Sequence, residues 1–346
     1  MHFHILGAGA IGLWTGYHLR RHGHRVTLLL RSEEAVAAFR QLNSIRLVAA
    51  HDGSGRVSEA TDVEAEVATR IRSPIDRLMV TTKAHQTSDA FADVHRWLTE
   101  HSSVILLQNG MGVREQLLER YYQATAPMPR FAHGITSMGC MRAGVNEVVH
   151  TGNGLFCFGP ASDEQAEQAS DNLRGTLVAL HELALDPDYP SPVDAATIHV
   201  HMLAKLAVNA CINPVTALLG CSNGQLYEQP YGRSMLTDIC SEVARLLRVA
   251  TSGTSPPAAP FHFPPFTAAQ KATFDDAALL QRVLAVCGQT AGNRSSMLVD
   301  IEAGRTTEID FINGYLVRLG QALNCATPLN SLLQKLVHTR TSISNG

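Results

Sequence analysis

The sequence carries little charge and no concentration of it. Of 346 residues, 17% are charged, and 28 Lys and Arg stand against 31 Asp and Glu, for a net charge of −3. Without a long block of either sign, neither nucleic-acid binding nor attachment to a membrane surface is predicted. The apolar fraction of 45% is ordinary for a soluble globular protein, and the length suits two domains of about 100–200 residues each.

Cysteine pairs and metal-ligand spacings are also lacking. The seven Cys are scattered without a CxxC pair, so reduced thiols are expected rather than a disulfide framework or a zinc site. The sixteen His include no HExxH spacing, and no metal is predicted. The first residues hold a glycine motif and lack a basic n-region, so no signal peptide is expected. We therefore expect a cytoplasmic protein.

The longest apolar stretch, residues 198–224, contains polar side chains at a regular spacing. Lys205, Asn209 and Asn213 recur every four residues, which aligns them along one stripe of an α-helix. A helix so apolar is buried, and its Lys and Asn argue against a membrane span. The stripe either bonds neighbouring loops in a core or lines a cleft. In a cleft, one cation and two amides suit a small anionic substrate rich in oxygen.

The N-terminus carries a dinucleotide fingerprint. A short strand leads into GAGAIG at residues 7–12, and a helical segment and a second strand, 25–30, follow. In this pattern the first Gly permits a tight turn, the second admits a pyrophosphate to the backbone at a helix N-terminus, and the third allows close packing of helix on strand. This context predicts a Rossmann domain. The predicted cofactor-binding residues of the loop are Gly7, Ala8, Gly9, Ala10, Ile11 and Gly12.

The end of the second strand bears on the choice of cofactor. Where an NAD site carries an acid, this sequence reads Arg31-Ser32. A guanidinium group and a hydroxyl suit a 2′-phosphate, so NADPH is favoured. The alternative is a solvated Arg31, and Glu33 and Glu34 directly after it leave NAD open.

Two later strands end in polar residues. The strand at 77–82 ends in Lys83, and the strand at 103–107 is followed by Gln108-Asn109. Because ligands of open α/β sheets lie beyond the carboxyl ends of the strands, Lys83 could reach a cofactor phosphate. Asn109 could bond ribose, nicotinamide or substrate, although either residue could instead be structural. Residues 43–73, 146–150 and 155–158 are expected to continue the sheet, the last two as antiparallel edge strands.

The C-terminal half is predicted to be helical. A helix is expected at 170–185 and an interdomain linker at 186–193, where three Pro lie. Apolar periodicity predicts helices over 198–219, 231–250, 267–290 and 308–323. The proline-rich residues 251–265 are interpreted as a surface insertion. We thus predict an α/β protein with an NADP-binding Rossmann domain, 1–192, and an all-helical substrate and catalytic domain, 193–346.

Two further polar clusters lie at 293–298 and 305–314. Thr306 or Thr307 could cap the last long helix, with Asp310 in its first turn, and Ser296 could be a cap or turn residue. A role in the site is the alternative for both clusters.

Together these motifs resemble the ketopantoate reductase family (2-dehydropantoate 2-reductases) over essentially the whole chain and in the right order. The matching motifs are GAGAIG at 7–12, Arg31, TTKAHQ around Lys83, QNGMG at 108–112, KLAVNACINPVTAL from Lys205, SNG with Asn223, NRSSML at 293–298 and TEIDFINGYL at 307–316. The resemblance implies reduction of the C2 ketone of ketopantoate to pantoate with NADPH, on the pathway to pantothenate and coenzyme A. It also implies an N-terminal Rossmann domain, an all-helical C-terminal domain and a cleft between them.

The resemblance also implies roles for individual residues. Lys205 would be the catalytic acid. Substrate would be held by Asn209, Asn213, Asn223 and Ser296. Asn109 would contact both cofactor and substrate, and Glu308 would lie by the nicotinamide and ribose. Two alternatives remain open, namely a reductase of another 2-keto acid and a non-catalytic NADPH-binding sensor. A monomer or a homodimer would suit either.

Overall fold

The computed structural model describes residues 1–122, 127–162, 171–183, 192–253 and 261–344. The chain divides into two compact units. The first comprises Met1–Gln108 and Val113–Ile198, and the second comprises Asn109–Gly112 and His199–Gly346. Four residues from the N-terminal half of the sequence therefore belong with the C-terminal unit.

The first unit is built on a seven-stranded sheet of order β11-β8-β7-β6-β1-β2-β5. Its strands are β1 His2–Leu6, β2 Arg25–Leu30, β5 Glu64–Val67, β6 Arg77–Val80, β7 Ser103–Leu106, β8 Arg130–Thr136 and β11 Phe156–Pro160. All neighbours pair in parallel except β11, which runs antiparallel to β8 at one edge. Central strands of such a sheet are covered on both faces, so they are continuous apolar runs, as the fully buried Leu78, Met79 and Val80 illustrate.

A second sheet of four strands has the order β4-β3-β10-β9. Its strands are β3 Ser44–Ala49, β4 Arg56–Thr61, β9 Gly139–Arg142 and β10 Glu147–Gly152. The expectation that residues 146–150 extend the main sheet is therefore wrong, because β10 pairs in parallel with β3. The expectation for 43–73 is correct only at β5, and the one for 155–158 agrees with β11. The sequence of a short alternating strand does not indicate which other strand it pairs with. The pairing of β3 with β4 and β10 is therefore known only from the structure.

The helices of the first unit pack against these sheets. They are α1 Ala10–Arg21, α2 Glu33–Arg40, α3 Ala84–Ala92, α4 Val113–Tyr121 and α5 Asp171–His181, with 3₁₀ turns at Ala68–Arg70 and His95–Trp97. One side of α1 meets the second sheet, where the Trp14 ring lies edge-on to His150 of β10 at 6.0 Å between centroids.

The second unit is helical throughout its described residues. Its helices are α6 Ala195–Leu219, α7 Asn223–Glu228, α8 Pro230–Thr251, α9 Ala268–Ala272, α10 Asp276–Gln289, α11 Ser296–Glu302, α12 Asn313–Ala322 and α13 Pro328–Ser344, with a 3₁₀ turn at Ile309–Phe311. The first four residues of α6 belong to the first unit. The helix predicted at 267–290 is two helices, since Phe274 turns into the core between them. The helix predicted at 308–323 starts only at Asn313, and α13 was not predicted.

By length and composition α6 is apolar enough to cross a membrane, but 72% of its most apolar window is buried within the protein. That burial is typical of the central helix of a packed unit. Its apolar faces account for the fully buried Leu203, Ala207 and Ala210.

Two proline-rich predictions fall partly outside the described residues. Of the linker predicted at 186–193 only the last two residues are described, and of the insertion at 251–265 only its two ends. At the second end, His262 and Pro265 are exposed, as expected of a surface segment, but its first residue is not. Phe261 is buried, and its ring meets that of Tyr315 edge-on at 5.1 Å between centroids.

Candidate active site

The glycine loop has the backbone geometry that its motif predicts. Gly7 has φ of +110°, and a Cβ there would lie 2.8 Å from the amide nitrogen of Thr82. A Cβ on Gly12 would lie 2.0 Å from the carbonyl oxygen of Gly7 and 2.6 Å from the Thr81 hydroxyl at the end of β6. The close contacts at Gly12 are therefore with both the loop and the strand end. Gly9 differs, because no described heavy atom lies within 4 Å of its Cβ position. Only Gly9 therefore has open space where a ligand could approach.

Residues that follow two strands, β6 and β7, form hydrogen bonds beside this loop. The Thr81 hydroxyl, after β6, donates to the carbonyl oxygen of Gly7 at 2.7 Å. The Thr82 and Thr87 hydroxyls bond each other at 2.9 Å, and Gln108, after β7, donates to Thr87 at 3.3 Å. Lys83 follows Thr82 and is half-buried at the start of α3. The sequence analysis identified Lys83 at this edge but not Thr81, although both belong to the same strand-end motif.

The end of β2 presents an exposed cation. Arg31 is exposed, whereas the Ser32 hydroxyl accepts from the amide of Ala35 at 3.3 Å and so caps α2. The Glu33 carboxylate pairs with Arg70 at 2.6 Å. Ser32 and Glu33 thus have partners within the protein, while Arg31 and Glu33 are both exposed.

These residues fit a bound dinucleotide. The first turn of α1 contains no acidic residue, and Gly9 gives it no side-chain cap, so its amides can receive an anion. The open side of Gly9 leaves room for a pyrophosphate, and the Arg31 guanidinium has the chemistry for a 2′-phosphate. The first unit therefore has the construction of a nicotinamide-dinucleotide site.

In the second unit, three predicted site residues meet. The Lys205 ammonium donates to Oδ1 of Asn109 at 2.7 Å, and Nδ2 of Asn109 donates to the Glu308 carboxylate at 3.4 Å. The polarity is consistent, since an ammonium requires an acceptor and a carboxylate a donor. Glu308 is buried, and Lys205 and Asn109 are half-buried. Residues 96 and 199 positions from Asn109 in the sequence thus form one hydrogen-bonded group, which we call the Lys205 group.

Burial changes the acidity of this lysine. Desolvation lowers the pKa of Lys205 to about 8, and the negative charge of Glu308 acts in the opposite direction. The ammonium is therefore mostly protonated at neutral pH yet gives up its proton far more readily than an ordinary lysine, whose pKa is about 10.4. A proton donor that acts near neutral pH needs this property.

The loop that carries Asn109 is fixed to the 3₁₀ turn beside Glu308. The amide of Met111 donates to the carbonyl oxygen of Phe311 at 2.8 Å. Gly110 has φ of +79°, and a Cβ on it would lie 2.4 Å from that same oxygen. Only glycine permits the approach, so the QNGMG motif brings Asn109 to Glu308 by backbone geometry.

The rest of the polar stripe continues along α6. Asn209 is half-buried and Asn213 is 8% exposed. Both follow Lys205 at intervals of one turn, so three polar groups share one side of an otherwise apolar helix. The predicted stripe is a feature of the folded protein, while its contact with substrate stays a prediction.

The two remaining predicted residues differ in their surroundings. Asn223 is buried at the start of α7, where Nδ2 donates to Thr290 at 2.8 Å and Oδ1 is buried without a partner among the described residues. Ser296 is exposed, and the cap of α11 is its neighbour Ser295. Ser295 accepts from the Thr216 hydroxyl of α6 at 2.8 Å, a link that the sequence analysis missed because either serine of the pair could cap.

The capping role predicted for the cluster at 305–314 is wrong. Neither Thr306 nor Thr307 caps α12, which begins after Ile312 without a side-chain cap. Asp310 lies in the 3₁₀ turn and accepts from Gln334 at 2.7 Å and His338 at 2.8 Å. It joins this turn to α13.

The first unit has a Rossmann-type sheet with a glycine fingerprint, and the second has a half-buried lysine beside an amide and a carboxylate. These features define a dinucleotide-dependent oxidoreductase. The family model described as "Ketopantoate reductase PanE/ApbA" matches residues 3–163, and "Ketopantoate reductase PanE/ApbA C terminal" matches residues 197–341. The chain belongs to the ketopantoate reductase family. Its members are NADP-dependent oxidoreductases.

Curated relatives agree with this assignment over most of their length. The 2-dehydropantoate 2-reductase of Bacillus subtilis (strain 168) is 32% identical over 314 residues, which cover 91% of this chain and 89% of the relative. That of Salmonella typhimurium is 32% identical over 343 residues, or 98% and 94% of the two chains. The Saccharomyces cerevisiae enzyme is 31% identical, covering 93% and 88%.

Solved structures share the fold. The probable 2-dehydropantoate 2-reductase of Bacillus subtilis matches with a TM-score of 0.73 and 29% identity, covering 98% of this chain and 100% of that one. A D-mandelate dehydrogenase with NADH and anilino(oxo)acetate matches with a TM-score of 0.79 over 100% and 99% of the chains. At 22% identity, the second likeness concerns the fold alone.

Proposed function

We propose that this protein reduces ketopantoate to pantoate with NADPH, a step in the synthesis of pantothenate and coenzyme A. The observation that carries the proposal is the Lys205 group, in which the ammonium of a half-buried lysine lies 2.7 Å from Asn109 and is influenced by Glu308. Family membership and relatives named for this reaction, at 32% identity over nearly the whole chain, support the choice of substrate.

Lys205 is the catalytic acid in this proposal. Its ammonium polarises the C2 carbonyl of the keto acid and donates a proton to the oxygen as negative charge develops there. NADPH, when bound, supplies the hydride that C2 receives. Glu308 keeps Lys205 protonated at neutral pH, since its charge opposes the effect of desolvation on the pKa of that lysine.

The amides of α6 and its neighbours hold the substrate. Asn209 and Asn213 lie on the same stripe as Lys205 and would bond the hydroxyl and carboxylate of ketopantoate. Asn223, whose buried Oδ1 accepts no hydrogen bond among the described residues, and Ser296 complete the predicted set. A site built to bond a hydroxyl rejects analogues that lack one, because its own polar groups are then left unpaired.

The cofactor is assigned to the glycine loop and the strand ends of the first unit. We propose that its phosphates lie on the backbone of residues 7–12 with Lys83 near them, and that Arg31 binds the 2′-phosphate. Asn109 and Glu308 contribute contacts to ribose and nicotinamide. We also propose the domain boundaries 1–192 and 193–346 and a cytoplasmic location.

One assay tests the function. NADPH oxidation is followed with ketopantoate and with a panel of 2-keto acids that lack its hydroxyl or its branched carbon, and each reaction is repeated with NADH. We expect the highest kcat/KM for ketopantoate with NADPH. A preference for another keto acid would identify a related reductase, and no oxidation with any of them would identify a binding protein without turnover.

A further inference from the structure

The helix that carries the polar stripe contains a proline. Pro214 lies within α6 and has no N–H, so the carbonyl oxygen four residues earlier, on Ala210, loses its helical partner. Ala210 is fully buried, and a buried carbonyl without a hydrogen bond is costly. The break falls between Asn209 and Asn213, inside the stripe itself.

A buried asparagine supplies the missing hydrogen bond. Nδ2 of Asn313, the first residue of α12, donates to the carbonyl oxygen of Ala210 at 3.1 Å. The same nitrogen donates to Oδ1 of Asn330 at 2.9 Å, and both asparagines are fully buried. The Asn313 amide therefore uses both of its hydrogens, one on the proline break of α6 and one on α13.

The direction of this amide is set by a carboxylate. Glu242 of α8 is buried and accepts from the amides of Leu329 and Asn330, both at 2.9 Å, and from Nδ2 of Asn330 at 2.8 Å. An ionised carboxylate only accepts, so Asn330 must turn its nitrogen toward Glu242 and its oxygen toward Asn313. Asn313 must then offer its nitrogen. The N-terminus of α13 favours the negative charge of Glu242.

Asn313 also lies close in sequence to another part of the site. It follows the 3₁₀ turn Ile309–Phe311, which starts after Glu308 and whose last carbonyl holds the amide of Met111. One short segment thus contributes Glu308, fixes the loop of Asn109 and, through Asn313, bonds the helix of Lys205 at its proline.

We propose that Asn313 is a positioning residue of the active site, because it replaces the backbone hydrogen bond that Pro214 removes and so fixes α6 against the Glu308 segment. Its amide, oriented by Glu242 through Asn330, sets the spacing of Lys205, Asn209 and Glu308. The catalytic part of this inference rests on the proposed function. A misplacement of about 1 Å in a site costs up to about 10²-fold in rate, so a small shift of α6 has a large effect.

A double-mutant experiment tests the proposal. Asn313→Leu keeps the branching of the side chain and removes both donated hydrogen bonds. Pro214→Ala restores an N–H in α6 that can bond the Ala210 carbonyl from within the helix. We expect Asn313→Leu to lower kcat at least about tenfold, and the double variant to recover to within about threefold of Pro214→Ala alone. Thermal stability should stay low in the double variant, because Oδ1 of Asn330 remains unpaired in both.

Asn146 provides the matched control. It is a buried asparagine of the first unit whose Nδ2 donates to the carbonyl oxygen of Ser44 at 2.9 Å. Asn146→Leu should lower the melting temperature, since it too leaves a buried carbonyl short of a donor. It should leave kcat unchanged when measured well below that temperature.

Hydrogen exchange of α6 gives a readout that needs no substrate. Asn313→Leu should speed exchange of the amides around Ala210 and Pro214, and Pro214→Ala should reverse this effect. If Asn313→Leu is insoluble, Asn313→Ala takes its place in both arms. Three results would each overturn the proposal. They are a kcat of Asn313→Leu equal to that of the parent, hydrogen exchange in α6 that Asn313→Leu does not change, and a kcat that Pro214→Ala does not restore. A parent that oxidises NADPH with none of the keto acids would overturn the proposed function alone, and exchange would still decide the positioning role.

Discussion

The proposed chemistry depends on one lysine whose proton is held less tightly than usual. Burial brings the pKa of Lys205 to about 8, and the Glu308 carboxylate raises it against that effect. As a proton donor, Lys205 is active below this pKa and inactive above it. The rate should therefore be constant at neutral pH and fall as the pH rises through about 8.

Glu308→Gln tests this coupling. Removing the carboxylate charge takes away the influence that raises the pKa of Lys205, so the alkaline limb of kcat/KM should move to lower pH. The profile is measured for the parent, for Glu308→Gln and for Asp238→Asn, which removes an exposed carboxylate of the same unit. A limb at the same pH in all three proteins would show that Glu308 does not act on the titrating group.

At the scale of single residues, the polar stripe of α6 was easier to predict from the sequence than the residues that support it. Lys205, Asn209 and Asn213 were visible because three polar side chains at one-turn spacing stand out in an apolar helix. Asn313 and Glu242 were not, since an asparagine beside a glycine and a glutamate in an amphipathic helix are ordinary patterns. Their partners lie 103 and 88 residues away, and only folding brings them together.

Among the elements, the glycine loop contains one glycine that the fold requires, Gly12, and one that the proposed cofactor requires, Gly9. A Cβ on Gly12 would meet the Gly7 carbonyl at 2.0 Å, whereas a Cβ on Gly9 would meet no described atom within 4 Å. Gly12→Ala should lower the free energy of unfolding by about 1–3 kcal/mol. Gly9→Ala should leave stability near that of the parent and weaken NADPH binding at least about tenfold, because the methyl group occupies the space proposed for the pyrophosphate.

Thermal unfolding and titration of NADPH fluorescence measure the two effects on the same proteins. Gly23→Ala is unsuitable as a control because its φ is +82°, so Gly288→Ala in α10, where a Cβ also has open space, serves instead. Unchanged NADPH affinity in Gly9→Ala would contradict the assignment of the pyrophosphate to this loop.

Strands and helices were predicted correctly where the sequence pattern within the element itself was sufficient. Strand β1, the glycine turn and α1 were predicted together because each has its own signal within about 20 residues. The second sheet was missed since β3 and β10 are distant in sequence and pair only in the fold. Helix α13 begins at Pro328, a favourable first position, but its stretch of Ser and Thr masked the periodicity.

At the scale of the whole molecule, the two units divide the work. The first has the dinucleotide fingerprint and its parallel sheet, and the second has the Lys205 group, including the four residues Asn109–Gly112 that it takes from the N-terminal half of the chain. The place of Asn109–Gly112 in the second unit could not be predicted from composition, because a loop after a strand is normally assigned to the domain of that strand. It explains how a residue of the QNGMG motif comes to bond Lys205.

The most direct test of the whole account is the turnover of Lys205→Ala with ketopantoate and NADPH. The exposed Lys335, in α13 of the same unit, provides the matched control as Lys335→Ala. We expect Lys205→Ala to lose at least about 10²-fold in kcat while its affinity for NADPH stays close to that of the parent, and Lys335→Ala to be unchanged in both. Near-normal turnover by Lys205→Ala would contradict its role as the catalytic acid.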